Sequence, residues 1–271
     1  MSDFTFLTKE QCFGKEKLDI FEKRGTQAAI TDFSILLGGW VSNYRISNDS
    51  SLEGRTGSYW TKSYGGYHCM DVISEDGSKN SYNINKSDCG GRPAFPFSEE
   101  GSIPTNGESG KRAKDGILEV EYGYYPQKAV AKNMQERLEM EYKSDKLSKT
   151  RNSYTTDSVS YDSYNTIFQP QIHQEYEYNG KRFVRVQVKL NRYLQSKLTL
   201  SNGEQYKDGD NVWVEVSPVK WLVDATSNFM IAEKIIFAGV QFKYDLEDIY
   251  YLEDFDKSDI KKFMDKYFSI D

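Results

Sequence analysis

The sequence VWVEVSPVKWLV at residues 212–223 decides the fold class, because apolar side chains alternate with polar ones on both sides of its central Ser-Pro pair. An alternation with a period of two is typical of a strand that buries one face. An Asn-Gly pair at 179–180 separates two more such runs, 176–178 and 182–188, and this pair is the strongest short signal of a β-hairpin. With apolar runs within 229–238, these patterns predict an antiparallel sheet.

Strands are also predicted nearer the N-terminus. Runs at 58–61, 69–73 and 81–84 mix apolar and aromatic residues with Ser, Asn and Asp, and they show no helical period. The turn-forming sequence Glu-Asp-Gly at 75–77 separates two of them. We therefore expect short strands joined by turns in this region.

Helices are predicted in four places. Residues 8–11 have the spacing of a capping box, 18–22 suit a short helix that ends near Gly25, 128–149 carry apolar residues at helical intervals, and Ser258 is placed to cap a final amphipathic helix. The polar, Tyr-rich stretch 150–175 is predicted to be a long loop. The sum is an α+β fold, mainly antiparallel sheet with flanking helices.

Composition and charge exclude several classes of protein. The chain has 271 residues, 35 Lys+Arg against 41 Asp+Glu, and a net charge of −6. An acidic balance argues against nucleic acid as a partner, since binding it requires many phosphates to be neutralised. No run of 18 apolar residues is present, so no membrane span is expected. The first residues lack the pattern of a signal peptide, and with three cysteines this favours a reduced, cytoplasmic location.

The sequence offers little material for catalysis. It contains two histidines, His68 and His173, and no Gly-rich loop followed by Lys-Ser/Thr. The acidic pairs Glu247-Asp248 and Glu253-Asp254 lie in polar surroundings that would not separate the pKa values of two neighbouring carboxyl groups. We therefore predict no catalytic residues, no metal site and no cofactor.

Seven short motifs carry a resemblance. They are FLTKE at 6–10, TDF at 31–33, SYWT at 58–61, GRPA at 91–94, YGYYPQ at 122–127, VKWLV at 219–223 and SDI at 258–260. The first four motifs resemble the second half of a bacterial domain family of unknown function. The last three resemble the first half of the same family. That family is similar to the C-type-lectin fold of formylglycine-generating enzymes and of the variable proteins of diversity-generating retroelements.

The resemblance implies a C-type-lectin-like domain whose halves stand in reversed order. Residues 1–97 look like the second half of the family, 98–116 like a linker, and 117–271 like the first half with an insertion at 128–175. The chain would then be a circular permutant, because the termini of this fold lie close together, or a fragment of a tandem array. The halves complete one domain within a chain, or two incomplete domains complete each other in a homodimer.

The region from 58 to 88 has the composition of a recognition surface, since Tyr supplies rigid contact area and Asn and Ser adapt their hydrogen bonds. The candidate ligand-binding residues are Tyr59, Tyr64, Tyr67, His68, Asn80, Tyr82, Asn83 and Asn85. Trp60 and Arg92 are predicted to be scaffold residues, one in the core and the other a structural hydrogen-bond donor. Retroelement mutagenesis of Asn codons would give this composition, and so would a low-GC genome.

These observations predict a non-enzymatic protein whose partner is another protein. The partner would be a component of a host-cell surface or, for a phage-borne gene, a host defence protein that this chain inhibits. One alternative is an oxidoreductase related to the formylglycine generator, with Cys69 and Cys89 binding copper. Another is a virion or assembly component.

Overall fold

The computed structural model describes residues 4–46, 55–97, 103–107, 110–158, 167–189, 198–244 and 254–270. The described helices are Lys9–Phe13 (α1), Asp19–Arg24 (α2), Asp32–Leu36 (α3), Lys132–Lys143 (α4) and Asp259–Tyr267 (α5). The described strands are Val41–Ile46 (β1), Arg55–Gly57 (β2), Tyr59–Gly66 (β3), Cys69–Ile73 (β4), Lys79–Asn83 (β5), Ala94–Pro96 (β6), Lys111–Arg112 (β7), Leu118–Ala129 (β8), Ser148–Asp157 (β9), Pro170–Tyr178 (β10), Lys181–Gln187 (β11), Leu198–Thr199 (β12), Gln205–Tyr206 (β13), Asn211–Asp224 (β14) and Phe229–Ala232 (β15). The chain is therefore mixed, with mostly antiparallel sheets and few helices, as α+β predicts.

The long strand β14 lies at the centre of the largest sheet. Strand β8 runs antiparallel along one side of it, while β11 and β15 follow one another along the other side. Strands β10 and β9 continue outward from β11, β6 continues from β15, and β7 pairs with β8, so that the described residues form an eight-stranded sheet. Most residues at 212–223 are buried in the core, and the backbone of this strand pairs with neighbours along both edges.

Strand β14 runs unbroken through Ser217 and Pro218, where the sequence predicted a break between two strands. The register with β8 shifts between Pro218 and Lys220. At this irregularity the side-chain amide of Gln127 donates to the carbonyl oxygens of Ser217 and Pro218, at 3.0 and 2.7 Å. The Gln127 amide satisfies two carbonyls at this irregularity, and Pro218, which has no N–H to donate, lies between the stretch of β14 that pairs with β11 and the stretch that pairs with β15.

The predictions for residues 128–175 are partly wrong. Helix α4 covers only part of the predicted helix, and the predicted loop at 150–175 contains most of the antiparallel pair β9 and β10. Residues 159–166 lie outside the described residues. The strands were missed because their buried positions carry polar side chains, which hide the usual alternation: Tyr154, Thr156, His173 and Glu175.

Local signals elsewhere are confirmed. Thr8 and Gln11 form a reciprocal capping box at α1, and the Ser258 side chain caps α5. Asn179 and Gly180 connect β10 to β11 with φ angles of 51° and 73°, the left-handed pair that a tight hairpin requires.

The N-terminal and C-terminal parts of the chain meet in one sheet. Ala94 of β6 lies opposite Ile231 of β15, and Ile30 forms a parallel bridge with Ile235. Of the predicted linker, residues 98–102 and 108–109 lie outside the described residues, and β7 within it pairs with the start of β8. Residues on both sides of this segment therefore share a core.

Candidate functional site

A separate three-stranded sheet carries the candidate recognition residues. Strand β4 pairs with β3 on one side and with β5 on the other, so β5 is an edge strand. At its base, Trp60, Val72 and Ile73 are buried in the main core, as predicted for Trp60. The turn between β3 and β4 and most of β5 face solvent. The sheet is thus fixed at one end and exposed at the other.

The end of β3 and the turn that follows it present two aromatic side chains to solvent. Tyr64 is 42% exposed and Tyr67 is 79% exposed. The rings of Tyr67 and His68 meet edge to face with their centroids 3.7 Å apart. His68 has φ of 56°, a left-handed conformation that a β-branched residue would rarely adopt. Residues predicted to bind a ligand therefore lie together at this tip.

The asparagines of the candidate site lie along β5 and just beyond it. Asn80 and Asn83 are exposed, and Asn85 is partly exposed. The Asn80 Oδ1 accepts a hydrogen bond from the Ser81 N–H at 2.8 Å, and the Asn83 Oδ1 accepts one from the Asn85 N–H at 3.3 Å. Asn80 and Asn83 have opposite parity on β5, so their side chains face opposite sides of the sheet.

Tyr59 was predicted to lie at the recognition surface, but the structure buries its side chain. Tyr59 is 2% exposed, and its hydroxyl donates to the Thr26 carbonyl at 2.5 Å and accepts from Arg92 Nη1 at 3.1 Å. Burial raises the pKa of the Tyr59 hydroxyl well above its usual value, so it stays neutral. Tyr82 is half-buried, packs against the core and carries the Lys86 ammonium 5.4 Å from its ring centroid. Tyr59 and Tyr82 therefore both pack into the protein, which their residue type alone does not indicate.

The middle strand β4 carries a buried carboxylate for which the sequence contains no local signal. Asp71 is 1% exposed, and its Oδ1 accepts from the Ser81 hydroxyl at 2.9 Å. Its Oδ2 lies 3.5 Å from the Lys9 Nζ and 3.6 Å from the Lys79 Nζ. Lys79 and Ser81 belong to the neighbouring strand β5, whereas Lys9 belongs to α1, so only the folded structure completes this charge cluster.

The thiols are poorly suited to the redox alternative. Cys12 and Cys89 are buried, and Cys69 is partly exposed. Burial raises the pKa of the Cys12 thiol to about 12 and that of Cys89 well above its usual value. Copper binding and redox attack both use the thiolate, which is scarce for such thiols at neutral pH.

The second histidine, His173, is a core residue and not a site residue. It is 3% exposed, with its Nε2 2.8 Å from the Thr156 hydroxyl and its ring edge-on to Phe33. Burial, together with the nearby Lys189 ammonium, lowers the pKa of His173 to about 4 from an ordinary value of 6.5. It is therefore neutral in the folded protein at physiological pH.

We expect His173 to make stability depend on pH. The unfolded chain binds a proton at this imidazole near pH 6.5, whereas the folded chain binds it only near pH 4. Lowering the pH from 7 to 5 should therefore reduce the free energy of unfolding by about 2 kcal/mol through this group, with the loss levelling off below pH 4. Urea unfolding at both pH values measures it, and H173Q should lack this part of the change. Equal pH dependence in the two proteins would contradict the assignment.

Among the described residues, no three His, Cys, Asp or Glu side chains are grouped as a metal site would require. No described helix combines the length and apolar character needed to cross a membrane. Comparison with protein families, with curated proteins and with solved structures finds no match to this chain.

Proposed function

We propose that this chain is a non-enzymatic protein-binding protein and that it contacts its partner through the tip and edge of the three-stranded sheet. The exposure of Tyr64 and Tyr67, 42% and 79%, carries the proposal, because their hairpin is fixed at its base in the core. Tyrosine is enriched at binding hot spots, since its ring supplies a large contact area at a small cost in side-chain entropy. Asn80 and Asn83 add hydrogen-bonding groups beside them.

The finer fold belongs to the same proposal: a C-type-lectin-like domain with its two halves in permuted order. The pairing of β6 with β15 supports a composite domain, since segments from both ends of the chain contribute to one sheet. The resemblance to a bacterial domain family supports a partner in a bacterial host. For a phage-borne gene, this chain would act in the host cytoplasm on a defence protein.

Replacing both exposed tyrosines, as Y64A together with Y67A, should abolish partner binding without unfolding the protein. Hot-spot truncations cost about 2 kcal/mol or more each, so affinity should fall by more than about 100-fold. Exposed side chains contribute little to stability, and Tm should therefore shift by no more than about 2 °C. Affinity capture from host lysate, followed by titration of the captured protein, measures the binding, and thermal unfolding measures Tm.

A matched control is Ile172 on β10, which is 68% exposed but belongs to the large sheet. I172A should keep full binding. If the captured protein binds the double variant as tightly as the natural chain, the tip is not the interface. Co-purification with virus particles, independent of the tyrosines, would instead identify an assembly component.

A further inference from the structure

The edge strand β5 has main-chain groups directed away from the protein. Two hydrogen bonds show which residues of β5 bond to β4. The Ser74 N–H donates to the Ser78 carbonyl at 2.8 Å, and the Ile84 N–H donates to the His68 carbonyl at 3.1 Å. Hydrogen-bonded and non-bonded pairs alternate along an antiparallel ladder. The N–H and C=O groups of Lys79, Ser81 and Asn83 therefore point outward from the sheet.

Within the described part of the chain, most of these outward groups have no hydrogen-bond partner. Among the described strands, only β4 pairs with β5. The Ser81 N–H is held by the side chain of Asn80, which is exposed and can rotate away, and the Asn83 carbonyl accepts from the Lys86 N–H at 3.1 Å. Of the features by which sheets block an added strand, β5 has a lysine, Lys79, but no proline and no register shift with β4.

Basic side chains lie on both faces of this edge. Alternate residues of a strand face opposite sides, so Lys79 shares a face with Ser81, whereas Tyr82 faces the other side. The Lys79 side chain is 47% exposed beside the buried Asp71, and the Lys86 ammonium lies over the Tyr82 ring. An extended segment added here would place its side chains alternately near Lys79 and near Lys86, which favours acidic residues on both faces.

We propose that β5 accepts an extended, acidic segment of the partner as a fourth strand of this sheet. The proposal rests on the proposed function and specifies how the partner is recognised: main-chain hydrogen bonds at the edge supply affinity, and the two lysines select acidic side chains. The exposed tyrosines at the neighbouring tip then contact the rest of the partner.

The test compares an acidic peptide with a basic peptide of the same length and pattern. Capped, fluorescently labelled Val-Glu-Glu-Val-Glu-Glu-Val should bind the full chain at least about tenfold more tightly than Val-Lys-Lys-Val-Lys-Lys-Val in fluorescence polarisation. S81P removes an N–H that points away from β4, so the sheet should still form while peptide binding is lost. S81A keeps that N–H and should retain binding.

A second measurement does not depend on any variant folding. The acidic peptide with every backbone nitrogen methylated has no N–H to donate from either edge, and it should not bind the natural chain. Equal binding of acidic and basic peptides, of methylated and unmethylated peptides, or to S81P and S81A would overturn the proposal, and so would absence of binding. If the peptides fail while the double tyrosine variant still loses the captured partner, the proposed function stands and this inference falls.

Discussion

Replacing Trp221 with alanine should lower the free energy of unfolding by about 3–5 kcal/mol. Trp221 is completely buried on β14, with its ring edge-on to Phe95 at 5.1 Å between centroids and stacked on Phe4 at 6.0 Å. Its indole N–H donates to the Tyr122 carbonyl at 2.9 Å. The truncation leaves a cavity where segments from both ends of the chain meet, and it removes the hydrogen bond to the Tyr122 carbonyl. Urea unfolding followed by circular dichroism measures the loss.

Two variants separate this effect from a general sensitivity to mutation. W221F keeps an aromatic ring in the core but lacks the N–H, so it should lose less stability than W221A. I172A changes an exposed side chain on the same sheet and should stay within about 0.5 kcal/mol of the natural chain. A loss below about 1 kcal/mol for W221A would show that the ring does not join the two ends of the chain in one core.

Much of the fold could be predicted from the sequence because the signals are local. The alternation at 212–223, the Asn-Gly turn at 179–180 and the caps at Thr8 and Ser258 each depend on a few neighbouring residues. In each case the local preference agrees with the tertiary structure. The prediction of strands and of capped helix ends is therefore confirmed at these places.

The remainder depends on contacts that a local pattern does not contain. On β9 and β10 the buried face carries Tyr154, His173 and Glu175, whose polar groups pair with one another or with nearby hydroxyls. A buried polar group costs little once it is hydrogen-bonded, so these strands need not look apolar. The same stretch therefore resembles a polar loop until its partners are known.

In the candidate site, too, some features depend on tertiary contacts that the local sequence does not contain. Tyr59 and Tyr64 belong to one strand and have the same side chain, yet one is buried and the other is exposed. The difference follows from where β3 leaves the core, which the residue type does not indicate. Asp71 and its lysines could not be grouped from the sequence either, because Lys9 lies in another element.

Replacing Arg92 with alanine should lower the free energy of unfolding by about 3 kcal/mol. The guanidinium is a structural hydrogen-bond donor, as predicted: its Nε donates to the Ala232 carbonyl at 2.9 Å and its Nη1 to the Tyr59 hydroxyl at 3.1 Å. It also lies over the rings of Phe21 and Tyr59, at 5.7 and 5.2 Å from their centroids. Its removal leaves buried acceptors unpaired between the three-stranded sheet and β15.

The lysine variant distinguishes the geometry of Arg92 from its charge. R92K keeps a cation in the same place, but an ammonium lacks the planar fork that reaches Ala232 and Tyr59 together, so it should recover only part of the loss. Combined with Y59F, R92A should cost less than the sum of the two single changes, because the two groups share one hydrogen bond. Urea unfolding of the four proteins gives this coupling. Full stability in R92K, or strict additivity with Y59F, would show that the hydrogen bond to Tyr59 does not stabilise the base of the sheet.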